Sequence, residues 1–491
     1  MRLRALVEAA SSRPGASGPS LRLTGVPDDS DPEILDVIMD SRRVVAGSMF
    51  CCVPGLQFDG HRYAVDAVDA GAVALLVDHP LDLPVAQVVV PDVRAALGPI
   101  SSTFHGQPSE AMAVVGITGT NGKTTTAQLL ANIVGASGRR VEVLGTLSGA
   151  RTTPEAPDLQ RRLAQWRDHS VEVVAMEVSS HAIALRRVDA TRFRVAVFTN
   201  LSRDHLDFHE SMEQYFETKA RLFTETFSDA AVVNLDSPHG RLLSDSSTIA
   251  TVGYSLAEVD ELRLSVDGSR FIWRGRQVHL PLAGAFNVSN ALAAAHAALL
   301  LGADEEDVVA GLSLPLVVPG RFERVELDAP FSVIVDFAHT PDGLEQVLIA
   351  ADGVGGRGSD DPTSTGRVIV VFGCGGDRDT TKRAPMGTVA AERADVVVLT
   401  ADNSRSESTD AIIDAISAGA ERAPRRRATS IEREPDRRRA IRTALTAARS
   451  GDIVIIAGKG HESTLTIGDT VSPFDDRVVA KEVWQEMGEQ T

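Results

Sequence analysis

The residues best suited to chemistry lie in the run Gly116-Ile117-Thr118-Gly119-Thr120-Asn121-Gly122-Lys123-Thr124. A Val-rich segment precedes it and a helical pattern follows. Glycines at this spacing let the backbone fold tightly, so that amide N–H groups point at phosphate oxygens. The start of the following helix adds a partial positive charge. Lys123 is then placed to neutralise β- and γ-phosphates, and Thr124 to offer a hydroxyl to Mg²⁺. Ile117 stands where the strict GxxxxGKT pattern has its first glycine, so the motif reads GxxGxxGKT. Gly119, Thr120, Asn121, Gly122, Lys123, Thr124 and Thr125 are the expected nucleotide-binding residues.

Glu177 closes a second apolar run, Val173-Val174-Ala175-Met176-Glu177. A carboxylate at a strand end beside a phosphate loop can share Mg²⁺ with Thr124, although an exposed strand-end acid reads the same way. A third run ends in Phe198-Thr199-Asn200-Leu201-Ser202-Arg203-Asp204-His205-Leu206-Asp207-Phe208-His209. Its paired aspartates and histidines suit a second metal or phosphate-sensing site, or simply a capped polar loop. Lys219 follows on a helical stretch, 215–223, where an isolated lysine is ordinarily solvent-exposed. A kinase, a GTPase and a ligase all use such a loop, so these residues alone do not choose among them.

Short Val- and Ile-rich runs must position these groups. The clearest are 114–118, 171–178, 195–200, 230–236, 331–337, 367–373, 395–400 and 452–457. Their apolarity is continuous rather than alternating, which predicts strands covered on both faces, as in parallel sheets. Helical patterns lie between many of them, at 124–136, 341–351 and 409–420. Alternation of this kind predicts α/β architecture, with ligands at the carboxyl ends of the strands. Polar 101–111, with Pro108, and the Pro319-Gly320-Arg321 stretch mark joints, giving expected domains 1–110, 111–325 and 326–491. Gly353 to Gly366 reads as a surface loop, and Arg-rich 421–439 as a solvated loop and helix face.

The composition bounds the partners. A chain of 491 residues suggests about three domains. Its 43% hydrophobic and 24% charged residues are those of an ordinary globular protein, which excludes a wholly disordered chain. The net charge of −18 argues against nucleic-acid or anionic-membrane binding. Cys51, Cys52 and Cys374 form neither a disulfide framework nor a zinc pattern, and are expected to be buried thiols. No apolar run reaches membrane-spanning length and the N-terminus lacks a signal pattern, so a cytoplasmic protein without membrane insertion is expected.

Taken together, the motifs resemble the Mur ligase family of peptidoglycan-building amide ligases. The resemblance rests on DSRRVVAGSMF (40–50), GITGTNGKTTT (116–126), MEVSSHA (176–182) and FTNLSRDHLDFH (198–209). It continues through GAFNVSNALAA (284–294), PGRFE (319–323), DFAHTPDGL (336–344), VFGCGGDRD (371–379) and AGKGHE (457–462). It implies a uridine-nucleotide domain, a central P-loop ATPase domain and a C-terminal Rossmann-like domain that holds an incoming amino acid. Met39, Ser41, Thr152, Thr153, Ser179 and Arg187 would contact the UDP-sugar peptide, and the loop Gln57-Phe58-Asp59-Gly60 its uridine end. Asn287, Arg321 and Asp336 resemble residues that grip ATP. Lys219 matches the family's carbamylated lysine, which would join Thr124, Glu177 and His205 around Mg²⁺. Lys123, His205 and Lys219 are the catalytic residues that the resemblance implies.

The implied reaction adds a diamino acid to the D-glutamate of UDP-N-acetylmuramoyl-L-alanyl-D-glutamate through an acyl phosphate, with ATP consumed. The third-residue pocket would comprise Arg383, Asp402, Asn403, Ser404, Arg405, Gly458 and Glu462. Members that use meso-2,6-diaminopimelate typically carry D-N-P-R where this chain reads Asp402-Asn403-Ser404-Arg405. Arg405 could pair bidentately with a distal carboxylate, which lysine lacks, or with Glu407 at the surface. Diaminopimelate is therefore favoured over lysine or ornithine, and a monomer is expected. The competing readings are a folylpolyglutamate synthase-like glutamate ligase, a P-loop phosphotransferase or nucleotide switch, and a binding module that has kept the fold.

Overall fold

The computed structural model describes residues 1–11, 22–24, 31–55, 58–149, 151–354 and 366–489. Three sheet-centred units follow one another along the chain. The first sheet holds β1 (Arg22–Thr24), β2 (Asp36–Ile38), β3 (Ser48–Cys51), β4 (Ala74–Val77) and β5 (Ala86–Val89), in the order β1-β5-β4-β3-β2. It is parallel except for β1 against β5.

The second sheet holds β6 (Ala113–Thr118), β7 (Val141–Leu144), β8 (Val173–Glu177), β9 (Phe193–Phe198), β10 (Ser228–Asn234) and β11 (Ala250–Tyr254). Its order is β11-β10-β9-β6-β8-β7, all parallel. Side chains of β6 alternate between two separate cores. Val115 and Ile117 pack with the helices Lys123–Ala136 and Ala285–Leu300, whereas Val114 packs with Leu159, Leu163 and Phe198. Both faces are buried, which is why the sequence shows unbroken apolarity here; each such side chain contributes about 1.5–3 kcal/mol.

A small antiparallel sheet of β12 (Val259–Ser265), β13 (Gly268–Trp273) and β14 (Arg276–Leu280) adds Phe271, Trp273 and Val278 to the first of those cores. The third large sheet holds β15 (Glu323–Val325), β16 (Ser332–Asp336), β17 (Val368–Phe372), β18 (Val396–Leu399), β19 (Ser430–Arg433) and β20 (Ile453–Ala457). Its order is β15-β16-β20-β17-β18-β19, with only β15 antiparallel. It begins at Glu323, ahead of position 326. A terminal hairpin joins β21 (Thr464–Ile467) to β22 (Thr470–Pro473).

The eight apolar runs coincide with β6, β8, β9, β10, β16, β17, β18 and β20. Two readings are corrected. The polar stretch 101–111 is not all linker: Ser101, Ser102 and Thr103 are buried on the helix Val93–Phe104. Small side chains suit this close packing, for a Cβ on Gly98 would lie 2.4 Å from the Asp189 carbonyl. The Arg-rich stretch is not uniformly solvated either. Arg437 is fully buried because Asp476, equally buried, accepts from its Nε and Nη2 at 2.8 and 2.7 Å. All three cysteines are buried and free. Leu56, Gln57 and most of the Gly353–Gly366 loop lie outside the described residues. Among the described residues, no helix is long and apolar enough to cross a membrane.

Candidate active site

The carboxyl ends of β6, β8 and β9 carry the phosphate loop, Glu177 and Thr199-Asn200. Gly119 has φ +151°, and a Cβ there would sit 1.9 Å from Thr199 Oγ1. Gly122 has φ +87°, with a Cβ position 2.3 Å from Asn290 Oδ1. Only glycine fits either position. Gly122 caps the helix Lys123–Ala136 without a side-chain hydrogen bond, which leaves its first amides to an anion. Asn200 fixes the loop by accepting from the Asn121 amide at its Oδ1, 2.9 Å, and from the Thr120 amide at its carbonyl, 3.0 Å. Lys123 Nζ folds back onto the Gly119 and Thr120 carbonyls, at 2.8 Å each.

Thr124 and Glu177 meet directly. Thr124 Oγ1 donates to Glu177 Oε2 at 3.0 Å, and the Thr146 amide and hydroxyl donate to the same carboxylate. Glu177 is buried, and Gly145 lies so close that a Cβ would fall 2.1 Å from Oε1. This hard-oxygen pair suits Mg²⁺. Thr125 lines the adjoining cavity.

Lys219 is fully buried rather than solvent-exposed. Its Nζ donates to the Gly119 carbonyl at 3.1 Å and lies over the Tyr215 ring. Burial, helped by Lys123, holds its pKa well below the usual lysine range. A neutral amine is the form that reacts with CO₂. His205, at φ +55°, has its Nε2 3.3 Å from Asp204 and packs edge-on to His181. Burial lowers its pKa to about 3 against the pull of Asp204. His205 therefore meets Asp204, not Glu177, in this arrangement. Asp204 in turn approaches His339 of the third unit at 3.6 Å. Burial would raise the Asp204 pKa, but His339, His205 and Lys382 outweigh it and hold the carboxyl well below its usual range.

A cavity of about 380 Å³ opens between the second and third units beside the loop, lined by Asn121, Asn290, Phe286, Arg321 and Asp336 among others. Asp336 ends β16 and accepts from the Phe322 and Ala338 amides at 2.6 and 2.7 Å. Arg321 lies over the Phe337 ring. Asn287 sits behind the cavity, donating to the Ala283 carbonyl and accepting from Asn290. Asn121 Nδ2 donates to Asp342 across the two units at 3.2 Å.

On the other side of Glu177, Thr153 Oγ1 donates to the Glu177 carbonyl at 2.9 Å and accepts from the Ser179 amide at 3.1 Å. Thr152 Oγ1 contacts Thr146 Oγ1. Arg187 pairs with Glu155 at 2.8 Å, and Arg151 and Arg94 approach the same carboxylate at 3.2 and 3.7 Å. Sequence reasoning missed Arg94, Arg151 and Glu155, since nothing in their spacing foretells convergence. Met39 packs on the first unit's core and Ser41 opens the turn Ser41–Arg43; Arg43 reaches Asp158 of the second unit at 3.0 Å.

In the third unit, the ends of β18 and β20 bring together Asp402, Asn403, Ser404, Arg405, Gly458 and Glu462. Asn403 donates to Glu462 at 2.8 Å, and Gly458, at φ +111°, leaves a Cβ position 3.0 Å from Asp402 Oδ2. Ser404 Oγ bonds Thr409 Oγ1 at 2.6 Å. Arg383 pairs with Glu407, so Arg405 does not: its Nη1 donates to the Gly376 and Asn403 carbonyls, at 2.6 and 3.4 Å.

Models of the Mur ligase middle domain, the Mur ligase glutamate ligase domain and the Mur ligase family catalytic domain match residues 117–298, 320–460 and 33–105. The chain is 41% identical over 476 residues to the UDP-N-acetylmuramoyl-L-alanyl-D-glutamate–2,6-diaminopimelate ligase of Syntrophomonas wolfei, covering 92% of this chain and 95% of that one. It is 41% identical to the protein of the same name from Streptomyces coelicolor, with 92% and 93% covered. A solved structure of a ligase of that name superposes with TM-score 0.63 at 32% identity, over 93% and 95% of the chains. The MurF ligase of Thermotoga maritima, solved with ADP, shares the fold at TM-score 0.64 and 19% identity, over 93% and 97%. The chain belongs to the Mur ligase family.

Proposed function

We propose that this ligase joins 2,6-diaminopimelate to the D-glutamate side of UDP-N-acetylmuramoyl-L-alanyl-D-glutamate and splits ATP to ADP and phosphate. The observation that carries the choice of amino acid is Arg405. Its guanidinium donates only to carbonyls; Glu407 is taken by Arg383, and Asp377, which Arg405 faces at longer range, is hydrogen-bonded by Ser406. An arginine hydrogen-bonded to no carboxylate of the protein suits a ligand that brings its own, which diaminopimelate does and lysine does not. Glu462, which already pairs with the buried Lys459 at 3.1 Å, is the acid that the family resemblance implies for the ligand's distal ammonium.

The three units 1–110, 111–325 and 326–491 would hold nucleotide-sugar peptide, ATP and diamino acid in turn. Lys123 and the amides at the start of the helix Lys123–Ala136, shaped by the Gly119–Thr125 loop, receive the triphosphate, while Arg321 and Asp336 hold other parts of ATP and Asn287 supports that wall through Asn290. Thr124 and Glu177, with His205 and a carbamylated Lys219, would hold Mg²⁺, which supplies charge neutralisation between two anions. Met39, Ser41, Thr152, Thr153, Ser179 and Arg187 orient the dipeptide so that a carboxylate oxygen attacks the γ-phosphorus and ADP departs. The acyl phosphate is then attacked at carbon by the amine held among Arg383, Asp402–Arg405, Gly458 and Glu462, and phosphate leaves. Positioning and charge neutralisation do the catalysis.

The test offers ATP and the nucleotide dipeptide with a panel of diamino acids and weighs the product. A tripeptide product with meso-diaminopimelate is expected, with L-lysine much poorer. Equal or better use of lysine overturns the amino-acid assignment, and no ATP turnover with any of them overturns the ligase reading.

A further inference from the structure

The first unit carries a side-chain cluster beside the loop 57–60, in which only Asp59 belongs to the residues implied at the uridine end. His61 lies in the turn Gly60–Tyr63, and Asp78 and His79 directly follow β4. His61 Nδ1 is 2.7 Å from Asp59 Oδ1, and its Nε2 is 3.2 Å from Asp78 Oδ1. His79 Nδ1 is 2.5 Å from that same Asp78 oxygen. One ligand atom from each of His61, Asp78 and His79 lies within 4.8 Å of the others, the one such group among the described residues.

Proton counting shows why this arrangement calls for a cation. A neutral imidazole has a single N–H. With that proton on Nδ1, toward Asp59, the Nε2 lone pair faces a carboxylate oxygen. The Asp78 amide also points at Nε2, at 3.4 Å, which marks Nε2 as an acceptor. A cation shared by the Nε2 lone pair and the Asp78 carboxylate, 3.2 Å apart, satisfies both, and that cation is either a metal ion or a second ring proton. The exposed His79 ring lies against the same carboxylate and stacks on His61, with ring centroids 4.8 Å apart.

We infer that His61 Nε2, an Asp78 oxygen and a His79 ring nitrogen form a binding site for a borderline divalent transition metal of the Zn²⁺ class. Two nitrogens and one carboxylate are ligands that Zn²⁺, Co²⁺ and Ni²⁺ accept and Mg²⁺ does not favour. Ligand atoms about 2.0–2.1 Å from such an ion stand roughly 3.3 Å apart in a tetrahedron, which the His61–Asp78 separation of 3.2 Å matches and which His79 reaches only by rotating away from its 2.5 Å contact with Asp78. Asp59 completes the arrangement by holding the remote nitrogen of His61, as carboxylates do behind metal-bound histidines. The His61 side chain is only 7% exposed and therefore fixed, while His79, at 61%, turns onto an incoming ion by leaving its contacts with Asp78 and the His61 ring. A bound ion would tie the turn after Asp59 to the end of β4.

The experiment titrates Co²⁺ into the full chain at neutral pH with Mg²⁺ in excess to occupy oxygen-only sites. The expected result is one equivalent of Co²⁺ with the visible absorption of a low-coordinate nitrogen–oxygen site. His79→Ala and Asp78→Asn should each lose that band and weaken binding at least tenfold. Asp59→Asn should keep the band but bind roughly 10–100-fold more weakly. His79 is exposed, so its alanine variant should keep the wild-type Tm without metal. No band in the wild type, or the same titration in His79→Ala as in the wild type, overturns the site. A His61 ring seen by NMR to be doubly protonated at neutral pH and indifferent to Co²⁺ also overturns it, because the cation is then a proton.

Discussion

Glu407 accepts from both terminal nitrogens of Arg383, at 2.9 and 2.8 Å, and also receives the Asp377 amide. This one carboxylate ties the loop after β17 to the loop after β18, while Arg405 donates to the Gly376 and Asn403 carbonyls instead. Glu407→Gln keeps the shape and removes the charge. Charge-assisted bonds of this kind carry roughly 1.5–3 kcal/mol. The expected outcome is a KM for the diamino acid raised about tenfold, with the KM for ATP unchanged. Steady-state kinetics with each substrate varied in turn checks it; a change confined to ATP would show that Glu407 acts elsewhere.

Gly122→Ala places a methyl 2.3 Å from Asn290 Oδ1 on a backbone with φ +87°. The left-handed conformation alone costs about 1–2 kcal/mol for a residue with a Cβ. We expect the KM for ATP to rise steeply and ADP release to fall by at least tenfold, while circular dichroism stays native. Asn290→Ala in the same chain relieves the clash but not the strained φ, so rescue should be partial. Full rescue would mean that space alone selects glycine there.

Much of this was legible in the sequence. Continuous Val/Ile runs located the central strands because both sheet faces are covered, and the motif residues fell at strand ends because parallel sheets gather their carboxyl ends on one side. What could not be read is convergence. Glu155 meets Arg94, Arg151 and Arg187 only once two units have docked. Arg437 looked like one more charge in a solvated run until Asp476 closed over it. The sheet of β12, β13 and β14 was missed because half-exposed strands such as Val259–Ser265 carry no apolar run. The burial of Lys219 could not be read from its helix face either, since that face says nothing of the loop packed on it; only the family resemblance marks it.

Acid should unfold this protein through its histidines. Burial is the leading cause that lowers the pKa of His105 to about 4, of His205 to about 3 and of His209 to about 4, all from an ordinary 6.5. A depressed folded-state pKa means that the unfolded chain binds protons first. The stability these groups contribute is fully present above pH 6.5 and is lost as pH falls toward the folded values. Asp204 adds a loss only at lower pH, below its ordinary 3.8. Tm should therefore drop steadily below pH 6.5, and His209→Asn should flatten that slope. A Tm that is constant from neutral pH down to 4 would contradict the burial of these rings.

Carbamylation of Lys219 makes a separate prediction. The depressed amine beside the Gly119 carbonyl should take up ¹³C-labelled bicarbonate and give a carbamate resonance in the NMR spectrum. Lys219→Arg should lack the resonance and lose most ligase turnover while still binding ADP. A wild-type enzyme that shows no carbamate yet turns over at full rate without CO₂ would remove the modification from the mechanism.

Glu155 is the counter-charge for three guanidiniums, and it is more buried even than Arg187, at 7% and 13% exposed. Arg187 Nε and Arg94 Nη1 are buried without a hydrogen-bond acceptor, so the cluster carries more donors and more positive charge than the protein itself satisfies. Glu155→Gln removes the one negative charge and strands a buried cation, a change that costs roughly 3 kcal/mol. Arg151, at 59% exposed, is screened by water and adds little to that figure. Because an acidic ligand at Thr152, Thr153 and Arg187 would restore the missing charge, the loss should be smaller with the nucleotide dipeptide bound. We expect Glu155→Gln to lower Tm markedly in the free protein and the deficit to narrow as that substrate is added. A deficit that stays constant across the titration would place the anionic part of the substrate away from these arginines.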